Sequence, residues 1–321
     1  MSAYLPEPRR SVAPGRPIRW RLVGLAAALL AVFAALFRPS LPLSRETYRY
    51  LFVLDITQSM NAQDYHVPGL PSERLGYARE AIRQILRQLP CGSAAGLGLF
   101  TTQSVQILFE PIEVCEHLAV IEDTLSHVDW RMAWAGDSHV AQGLYAVLRE
   151  LQRRDPRSRL VFFTDGQETP PLNFRPRFDG QPGGIQGVIV GVGGTRPVPV
   201  PRYDRDGRLL GYWENADIAT PPVATTDYSD KVETPPLPRQ GLYLSWVDEA
   251  HLRELAAITG LEYHRLEDFA PLSRLLRESR FSEHRRTSTD LRPALGLLAL
   301  ALVLAVHGAG DGLRSKESRI P

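Results

Sequence analysis

The sequence has little net charge, few cysteines and no common signature of a catalytic site. Its 321 residues carry 37 Lys and Arg against 36 Asp and Glu, a net charge of +1, so a nucleic-acid-binding surface is not expected. The two cysteines, Cys91 and Cys115, could form one disulfide or remain two buried thiols. A Gly-x-Ser-x-Gly elbow is absent, and the stretch Gly191-Val192-Gly193-Gly194 lacks the Gly-x-Gly-x-x-Gly spacing of a dinucleotide-binding turn.

Long apolar runs are scarce, and the two that occur are short for a membrane span, which needs about 20 apolar residues. We predict a transmembrane helix at residues 22–37, where arginines flank the run and can extend to the membrane interface. A cleaved signal peptide is the alternative, but no small-x-small cleavage site follows. Residues 293–309 are predicted as a second span; the alternative, a buried core helix, would normally show a polar face.

Five arginines precede the first apolar run, at positions 9, 10, 16, 19 and 21. Because positive charge favours the cytoplasmic side, residues 1–21 are predicted to be a basic cytoplasmic tail. Two spans would then place the middle of the chain on the outer side and return residues 310–321 to the cytoplasm as a second tail. An extracytoplasmic domain would permit a disulfide between the two cysteines.

Residues 46–282 show strands that alternate with helices, the pattern of an α/β domain with a doubly wound, mostly parallel sheet. Strands are predicted at 48–54, 96–101, 105–109, 159–164, 186–192 and 261–266, and helices at 72–89, 114–128, 138–152, 248–259 and 269–281. The second and third strands form a hairpin that adds an antiparallel edge. Ser72 and Asp248 are the predicted N-caps of their helices.

One segment, residues 193–241, interrupts this order as a proline-rich insertion. Within it, PRYDRDGRLLGYW predicts a β-hairpin that turns at Asp206-Gly207. The aspartates here are too few for a calcium loop, which also needs a terminal glutamate at fixed spacing.

Two carboxylates follow apolar strands: Asp55 ends LFVLD and Asp165 follows LVFFT. In an open α/β sheet, ligands bind at the carboxyl ends of the strands. An unpaired carboxylate buried there is costly, so a cation between the two would offset both costs.

Hydroxyl side chains accompany these carboxylates: Thr57 and Ser59 follow Asp55, and Ser138 precedes a predicted helix. Carboxylate and hydroxyl oxygens suit an octahedral Mg²⁺ or Mn²⁺, whereas zinc would favour His or Cys ligands. Each short motif alone could be a helix cap and turn. Their joint occurrence predicts a metal site with the ligands Asp55, Thr57, Ser59, Ser138 and Asp165.

The stretch Asp55-Ile56-Thr57-Gln58-Ser59 resembles the metal-ion-dependent adhesion site of von Willebrand factor A domains, whose pattern is Asp-x-Ser-x-Ser. That family adds a Thr that opens a later helix and an Asp in Thr-Asp-Gly; Ser138 and Asp165 fall at these positions. The resemblance implies direct metal binding by Thr57, Ser59 and, with ligand bound, Ser138, while the aspartates act largely through water. Mg²⁺ is the expected ion, with Mn²⁺ and Ca²⁺ as alternatives.

The predicted anchors, the hairpin and the helix DEAHLRELAAITG resemble those of membrane-anchored bacterial A-domain proteins of the MxaL type and, next, of the BatA/BatB type. The MxaL type is found with methanol dehydrogenase accessory genes. This resemblance implies a bacterial inner-membrane protein whose main domain is periplasmic. It also implies a role in assembly or maturation, with methanol dehydrogenase or its accessory proteins as partners and calcium insertion as the step served.

An adhesion site of this kind binds and does not transform its ligand. A partner's Asp or Glu carboxylate fills the open coordination position, and neutral hydroxyl ligands keep the ion attractive to that anion. We therefore expect a protein-binding domain that is not an enzyme. The alternatives are a structural membrane scaffold of the BatA/BatB stress-tolerance type and a metal-assisted phosphoesterase with His139 as its base.

Overall fold

A computed structural model describes residues 19–171, 174–218, 229–231 and 240–314. The chain divides into two compact units, one of Arg45–Arg285 and one of Met1–Ser44 with Arg286–Pro321. The predicted tails at 1–21 and 310–321 lie mostly outside the described residues.

The helices and strands are the following, in chain order. The strands are β1 (Ser40–Asp55), β2 (Ala94–Thr101), β3 (Ser104–Glu113), β4 (Arg159–Thr164), β5 (Phe174–Pro176), β6 (Gly187–Gly191), β7 (Val198–Pro199), β8 (Pro201–Tyr203), β9 (Leu209–Tyr212), β10 (Ser229–Lys231), β11 (Leu244–Ser245), β12 (Glu262–Arg265) and β13 (Ser282–Asp290). The helices are α1 (Arg19–Leu36), α2 (Arg74–Gln88), α3 (Val114–His127), α4 (Val140–Arg154), α5 (Glu249–Thr259), α6 (Phe269–Leu275) and α7 (Arg292–Arg314).

The main sheet has the strand order β12-β6-β4-β1-β2-β3, and β13 also pairs with β1. The pairs from β12 to β2 are parallel, whereas β2 and β3 form an antiparallel hairpin. The predicted α/β class, the mostly parallel sheet and its antiparallel edge are confirmed. The carboxyl ends of β1 and β4 are therefore neighbours at one edge of the sheet.

Two hydrophobic cores lie on the two faces of this sheet, as a doubly wound fold requires. Side chains of β1 alternate between them: Phe52 and Leu54 join the core covered by α2, α3 and α6, while Leu51 and Val53 join the core covered by α4 and α5. Because both faces are covered there, residues 50–54 of β1 form a continuous apolar run that ends at Asp55.

Several predicted boundaries were wrong. Helix α2 begins after Glu73, and Ser72 is not its N-cap. Helix α6 stops at Leu275, and a separate 3-10 turn follows at Ser279–Phe281. Strand β1 begins at Ser40, well before the predicted start, because it pairs with β13, which was not predicted. In contrast, α5 has the predicted cap, Asp248, which accepts a hydrogen bond from the His251 amide.

The smaller unit contains α1 and α7, which pack through Ala28, Ala31 and Ala299. Among the described residues, no helix combines the length and the apolar character needed to cross a membrane. The prediction of transmembrane spans at 22–37 and 293–309 is therefore not borne out. The 18 residues of α1 extend about 27 Å at the helical rise, less than the ~30 Å hydrocarbon core, and the apolar stretch of α7 ends at His307.

The insertion at 193–241 contains β7, β8, β9, a 3-10 turn at Asn215–Asp217 and β10. Its residues 219–228 and 232–239 lie outside the described part of the chain. The predicted hairpin is confirmed, because β8 and β9 pair antiparallel and Gly207 adopts the positive φ of 79° that the turn needs. The two cysteines form a disulfide that joins the loop before β2 to α3.

Candidate metal site at the ends of two strands

Asp55 is the last residue of β1 and is fully buried. Its Oδ1 accepts hydrogen bonds from the Thr57 amide at 2.9 Å and the Thr57 hydroxyl at 2.6 Å, and its Oδ2 accepts one from the Thr164 hydroxyl at 2.7 Å. These donors are all neutral, so they satisfy the oxygens of the carboxylate without balancing its charge.

The electrostatic environment of Asp55 opposes its ionisation. Burial, followed by the negative charge of Asp165, raises the pKa of Asp55 from 3.8 to about 7. The hydrogen bonds from Thr57 and Thr164 lower this pKa only in part. A positive charge close to Asp55 is therefore needed to keep the carboxylate fully ionised at neutral pH.

The three predicted hydroxyl ligands line one cavity of about 490 Å³. Thr57 Oγ1 lies 3.3 Å from Ser59 Oγ, which belongs to the 3-10 turn Gln58–Asn61. The Ser138 hydroxyl is buried and has no hydrogen-bond partner among the described residues. Ser138 is held by two backbone hydrogen bonds with Thr169, at 2.6 and 2.8 Å. The structure thus brings Thr57, Ser59 and Ser138 to a common space next to Asp55.

Asp165 follows β4 and is buried, but it has a counter-ion of its own. Its Oδ2 accepts hydrogen bonds from Arg74 Nη1 at 2.9 Å and from the Ser245 hydroxyl at 3.1 Å. Arg74, the first residue of α2, is fully buried and also pairs with Asp64 at 2.7 Å. Asp165 therefore lies near Asp55 without sharing its bonding partners.

Sequence reasoning missed Arg74, because an arginine is rarely fully buried unless paired. One signal was available: Arg74 lies four residues before Ala78, on the face of α2 that carries the buried residues. An arginine on that face requires a buried acidic partner.

Gly193, the second residue after β6, lies against Arg74. Its φ is +119°, and a Cβ there would be 2.6 Å from Arg74 Nε. The Gly193 amide donates to the Tyr65 hydroxyl, and the Gly194 amide donates to Asp64. The start of the insertion is therefore joined to the Arg74 ion-pair cluster.

A second acidic group, Glu168, lies near Ser138 and was also missed. Its Oε1 accepts from the Ala141 amide at 3.0 Å and lies 3.3 Å from His251 Nε2, while its Oε2 lies 3.6 Å from His139 Nδ1. Burial opposes ionisation, but the two histidines and the Ala141 amide lower the pKa of Glu168 overall, and Glu168 raises the pKa of His251 despite burial. This group fixes the first turn of α4 beside Ser138.

The donor set fits a hard divalent cation. Asp64 and Asp165 both pair with the buried guanidinium of Arg74, and the buried Asp55 lies near Asp165 without a cationic partner of its own, so the cluster has more carboxylates than cations. The cavity is lined by the hydroxyl residues Thr57, Ser59 and Ser138, and the Ser138 hydroxyl lacks a partner in the described structure. The carboxylate residues Asp137 and Asp217 line it as well. Hard oxygen donors of this kind are the preferred ligands of Mg²⁺.

Comparison with known proteins agrees with this arrangement of strands and helices. Residues 50–167 match the family model of the von Willebrand factor type A domain. These residues form a von Willebrand factor type A domain. The A domain thus includes Asp55, Ser138 and Asp165, while the insertion lies beyond the matched residues.

Several mycobacterial proteins are similar to the chain over about half of its length. A UPF0353 protein of Mycobacterium sp. (strain KMS) is 31% identical over 170 residues, which is 51% of this chain and 49% of the relative. A UPF0353 protein of Mycobacterium tuberculosis (strain ATCC 25177 / H37Ra) gives the same values. The chain spans about half the length of the curated relatives it matches.

Solved structures give weaker similarities. An aerotolerance-related membrane protein from Bacteroides fragilis has a TM-score of 0.45 at 17% identity, covering 70% of this chain and 94% of that one. BatB from Bacteroides thetaiotaomicron has a TM-score of 0.45 at 16% identity, covering 71% and 94%. Similarities at this level support no conclusion about function, so the MxaL-type and BatA/BatB-type resemblances stay predictions.

Proposed function

We propose that this A domain binds a partner protein through a divalent cation. The ligands are Asp55, Thr57, Ser59 and Ser138, with Asp165 beside them. The observation that carries the proposal is that Asp55, a buried carboxylate, has only neutral hydrogen-bond donors around it. This carboxylate is fully buried and its pKa is raised to about 7, yet the side chains that bond to it are neutral.

The chain's own residues prepare the hydroxyls for this role. Thr57 donates its hydroxyl proton to Asp55, so the lone pairs of Thr57 Oγ1 remain available. The unpartnered Ser138 hydroxyl lies on the same cavity and would gain a partner. A bound cation would supply an electrophilic centre for a partner's carboxylate. Mg²⁺ is the proposed ion, with Mn²⁺ and Ca²⁺ as alternatives.

We propose binding and not catalysis. His139, the residue considered as a base, lies 3.4 Å from Asp137 and 3.6 Å from Glu168, so neighbouring carboxylates flank its ring. Metal-dependent hydrolysis of p-nitrophenyl phosphate by the purified chain, lost in Asp55→Ala, would contradict this proposal and support the phosphoesterase alternative.

We also propose an oxidising compartment, in agreement with the periplasmic location expected from the sequence. The Cys91–Cys115 disulfide supports it, because such bonds persist outside the reducing cytosol. In the periplasm the domain would serve as an assembly or maturation factor. The resemblance to MxaL-type proteins supports methanol dehydrogenase, or one of its accessory proteins, as the partner.

The test is a calorimetric titration of the purified chain with Mg²⁺, followed by capture of purified methanol dehydrogenase with Mg²⁺ or with EDTA. Asp55→Ala should lose metal binding and capture, since it removes the carboxylate that orients Thr57. Asp123→Ala is the matched control, because the Asp123 side chain is 75% exposed on α3. Mg²⁺ binding that is unchanged in Asp55→Ala would reject the site. Mg²⁺ binding without capture would reject the proposed partner alone.

A further inference from the structure

The cavity at the candidate metal site has two chemically different walls. One wall comes from the A domain and contains the hydroxyls of Thr57, Ser59 and Ser138. The other comes from the chain beyond β6 and is largely apolar; its residues are Val200, Trp213, Ile218 and Tyr243, together with Asp217, whose carboxylate lies 3.6 Å from Arg202 Nη1. The volume of about 490 Å³ falls within the range of ordinary ligand pockets.

The apolar wall is held in place by hydrogen bonds. The Trp213 amide donates to the Val200 carbonyl at 3.0 Å, and the Tyr243 amide donates to the Trp213 carbonyl at 2.8 Å. The Tyr243 hydroxyl lies 2.6 Å from Thr169 Oγ1, and Thr169 bonds through its backbone to Ser138. The wall is thus connected to a candidate metal ligand and is a formed surface of the pocket.

Two buried polar atoms of cavity-lining residues have no hydrogen-bond partner among the described residues. They are Ser138 Oγ and Trp213 Nε1. Buried donors and acceptors are nearly always satisfied, and each one left unpaired is costly. These two atoms favour an occupant that supplies polar groups there.

Large apolar side chains are exposed next to the lining residues along the chain. Trp134 is 54% exposed two residues before Gly136, and Tyr212 and Leu242, each 45% exposed, directly precede Trp213 and Tyr243. These three side chains do not line the pocket themselves, but exposed aromatic and aliphatic groups on adjoining residues are typical of a protein-binding surface. They favour a segment of a protein over a free small molecule.

Building on the proposed function, we propose that the pocket binds a segment of a partner protein in which an acidic residue stands beside a large apolar residue. The carboxylate meets the metal at the hydroxyl wall. The apolar side chain packs on Val200, Trp213 and Ile218, and the segment's backbone bonds to the unpartnered polar atoms. The insertion thereby selects which carboxylate the metal captures.

The test uses two kinds of blocked tetrapeptide, one with leucine and one with serine next to an aspartate. Each kind is made in both residue orders. Their affinities for the purified full chain are measured by calorimetry with Mg²⁺ and with EDTA. Binding is also followed by the indole N–H signals of protein labelled with ¹⁵N at its five tryptophans. With Mg²⁺ present, we expect the leucine peptide to bind about tenfold more tightly than the serine peptide. It should also shift the indole N–H signal of Trp213, which is identified by its loss in Trp213→Phe.

Trp213→Ala and Ile218→Ser should each abolish the preference for leucine without changing Mg²⁺ affinity. Leu209→Ser is the control, because Leu209 is exposed on the same insertion and does not line the pocket. If Trp213→Ala fails to fold, Ile218→Ser decides the question.

Equal Mg²⁺-dependent affinity for both peptides, or a preference that survives Ile218→Ser, would overturn this inference and leave the proposed function intact. If neither kind of peptide binds in a Mg²⁺-dependent way, the proposed function is overturned together with the inference.

Discussion

The ends of β1 and β4 carry the same residue type and solve the same electrostatic problem in different ways. Asp55 and Asp165 are both buried aspartates at the carboxyl ends of adjacent parallel strands. Asp165 pairs with the buried guanidinium of Arg74, whereas Asp55 bonds to hydroxyls and an amide. Asp165 therefore has a counter-ion within the fold, whereas Asp55 has none and is arranged to gain one from a bound cation.

This difference separates stability from function at neighbouring positions. An internal counter-ion makes Asp165 part of the structure, and its loss should weaken the fold. Asp55 should matter less to the fold of the metal-free chain than to metal binding. The predictions below test this separation, from the largest expected effect to the smallest.

The largest effect is expected for Arg74→Met, measured by urea unfolding in EDTA. The change leaves Asp64 and Asp165 buried without their cation, which should cost about 3–5 kcal/mol. Arg87→Met is the matched control, because Arg87 lies on the same helix with its side chain 57% exposed and pairs with Glu122 at the surface. That exposed pair should contribute little to the free energy of unfolding. Equal losses for the two variants would remove the structural role assigned to Arg74.

The next effect distinguishes the two aspartates directly. In EDTA at pH 7.5, Asp165→Asn should lower the free energy of unfolding by about 1–3 kcal/mol, since it removes a charged hydrogen bond from Arg74. Asp55→Asn should not lower it and should raise it, because burial and Asp165 disfavour the ionised Asp55 carboxylate and an amide carries no charge. Addition of Mg²⁺ should then stabilise Asp165→Asn more than Asp55→Asn. A larger loss of unfolding free energy in EDTA for Asp55→Asn than for Asp165→Asn would contradict the roles assigned to the two carboxylates.

Asp55 should also make the stability of the metal-free chain depend on pH. The pKa of Asp55 rises from 3.8 in the unfolded chain to about 7 in the fold. Between these values the unfolded carboxyl ionises while the folded one keeps its proton, so the contribution of Asp55 to stability falls as pH rises from about 4 to about 7. The free energy of unfolding of the wild type minus that of Asp55→Asn, measured in EDTA, should follow this course.

The same titration predicts that Mg²⁺ affinity rises with pH up to about 7, because the cation competes with the proton on Asp55. If the difference in free energy of unfolding between wild type and Asp55→Asn stays constant from pH 4 to pH 7.5 in EDTA, the raised pKa of Asp55 is contradicted.

The smallest effect on stability is expected for Ser138→Ala. The Ser138 hydroxyl has no partner among the described residues, so its removal in EDTA should change the free energy of unfolding by less than about 0.5 kcal/mol. The control Ser158→Ala removes a hydrogen bond to Asp155 of 2.7 Å and should cost about 1 kcal/mol. Ser138→Ala should nevertheless weaken Mg²⁺ binding in a calorimetric titration. Unchanged Mg²⁺ affinity would exclude Ser138 as a ligand.

The sequence predicted the framework of the sheet well because its strands are continuous apolar runs buried on both faces. Strand β4 occupies the predicted residues, and the antiparallel hairpin of β2 and β3 lies where turn residues separated two such runs. Strand β13 was missed because its sequence, SEHRRTSTD, is polar and lacks an apolar pattern.

The candidate site was predicted in part. The strand-end positions of Asp55 and Asp165, and the shared cavity of Thr57, Ser59 and Ser138, follow from fold class and motif order. The partner of Asp165 did not follow, because Arg74 is distant in sequence and buried arginines are rare. The apolar wall of the pocket also could not be predicted, since it depends on tertiary hydrogen bonds within an irregular segment.

Gly193, the first residue of the insertion, limits how the insertion can be replaced. A side chain at Gly193 would strike the Arg74 guanidinium, and the amides of Gly193 and Gly194 bond to Tyr65 and Asp64. Loop-grafting experiments could therefore exchange the downstream sequence and re-target the domain. Gly193 must remain in every chimera, because a side chain there would displace the arginine that holds two carboxylates together.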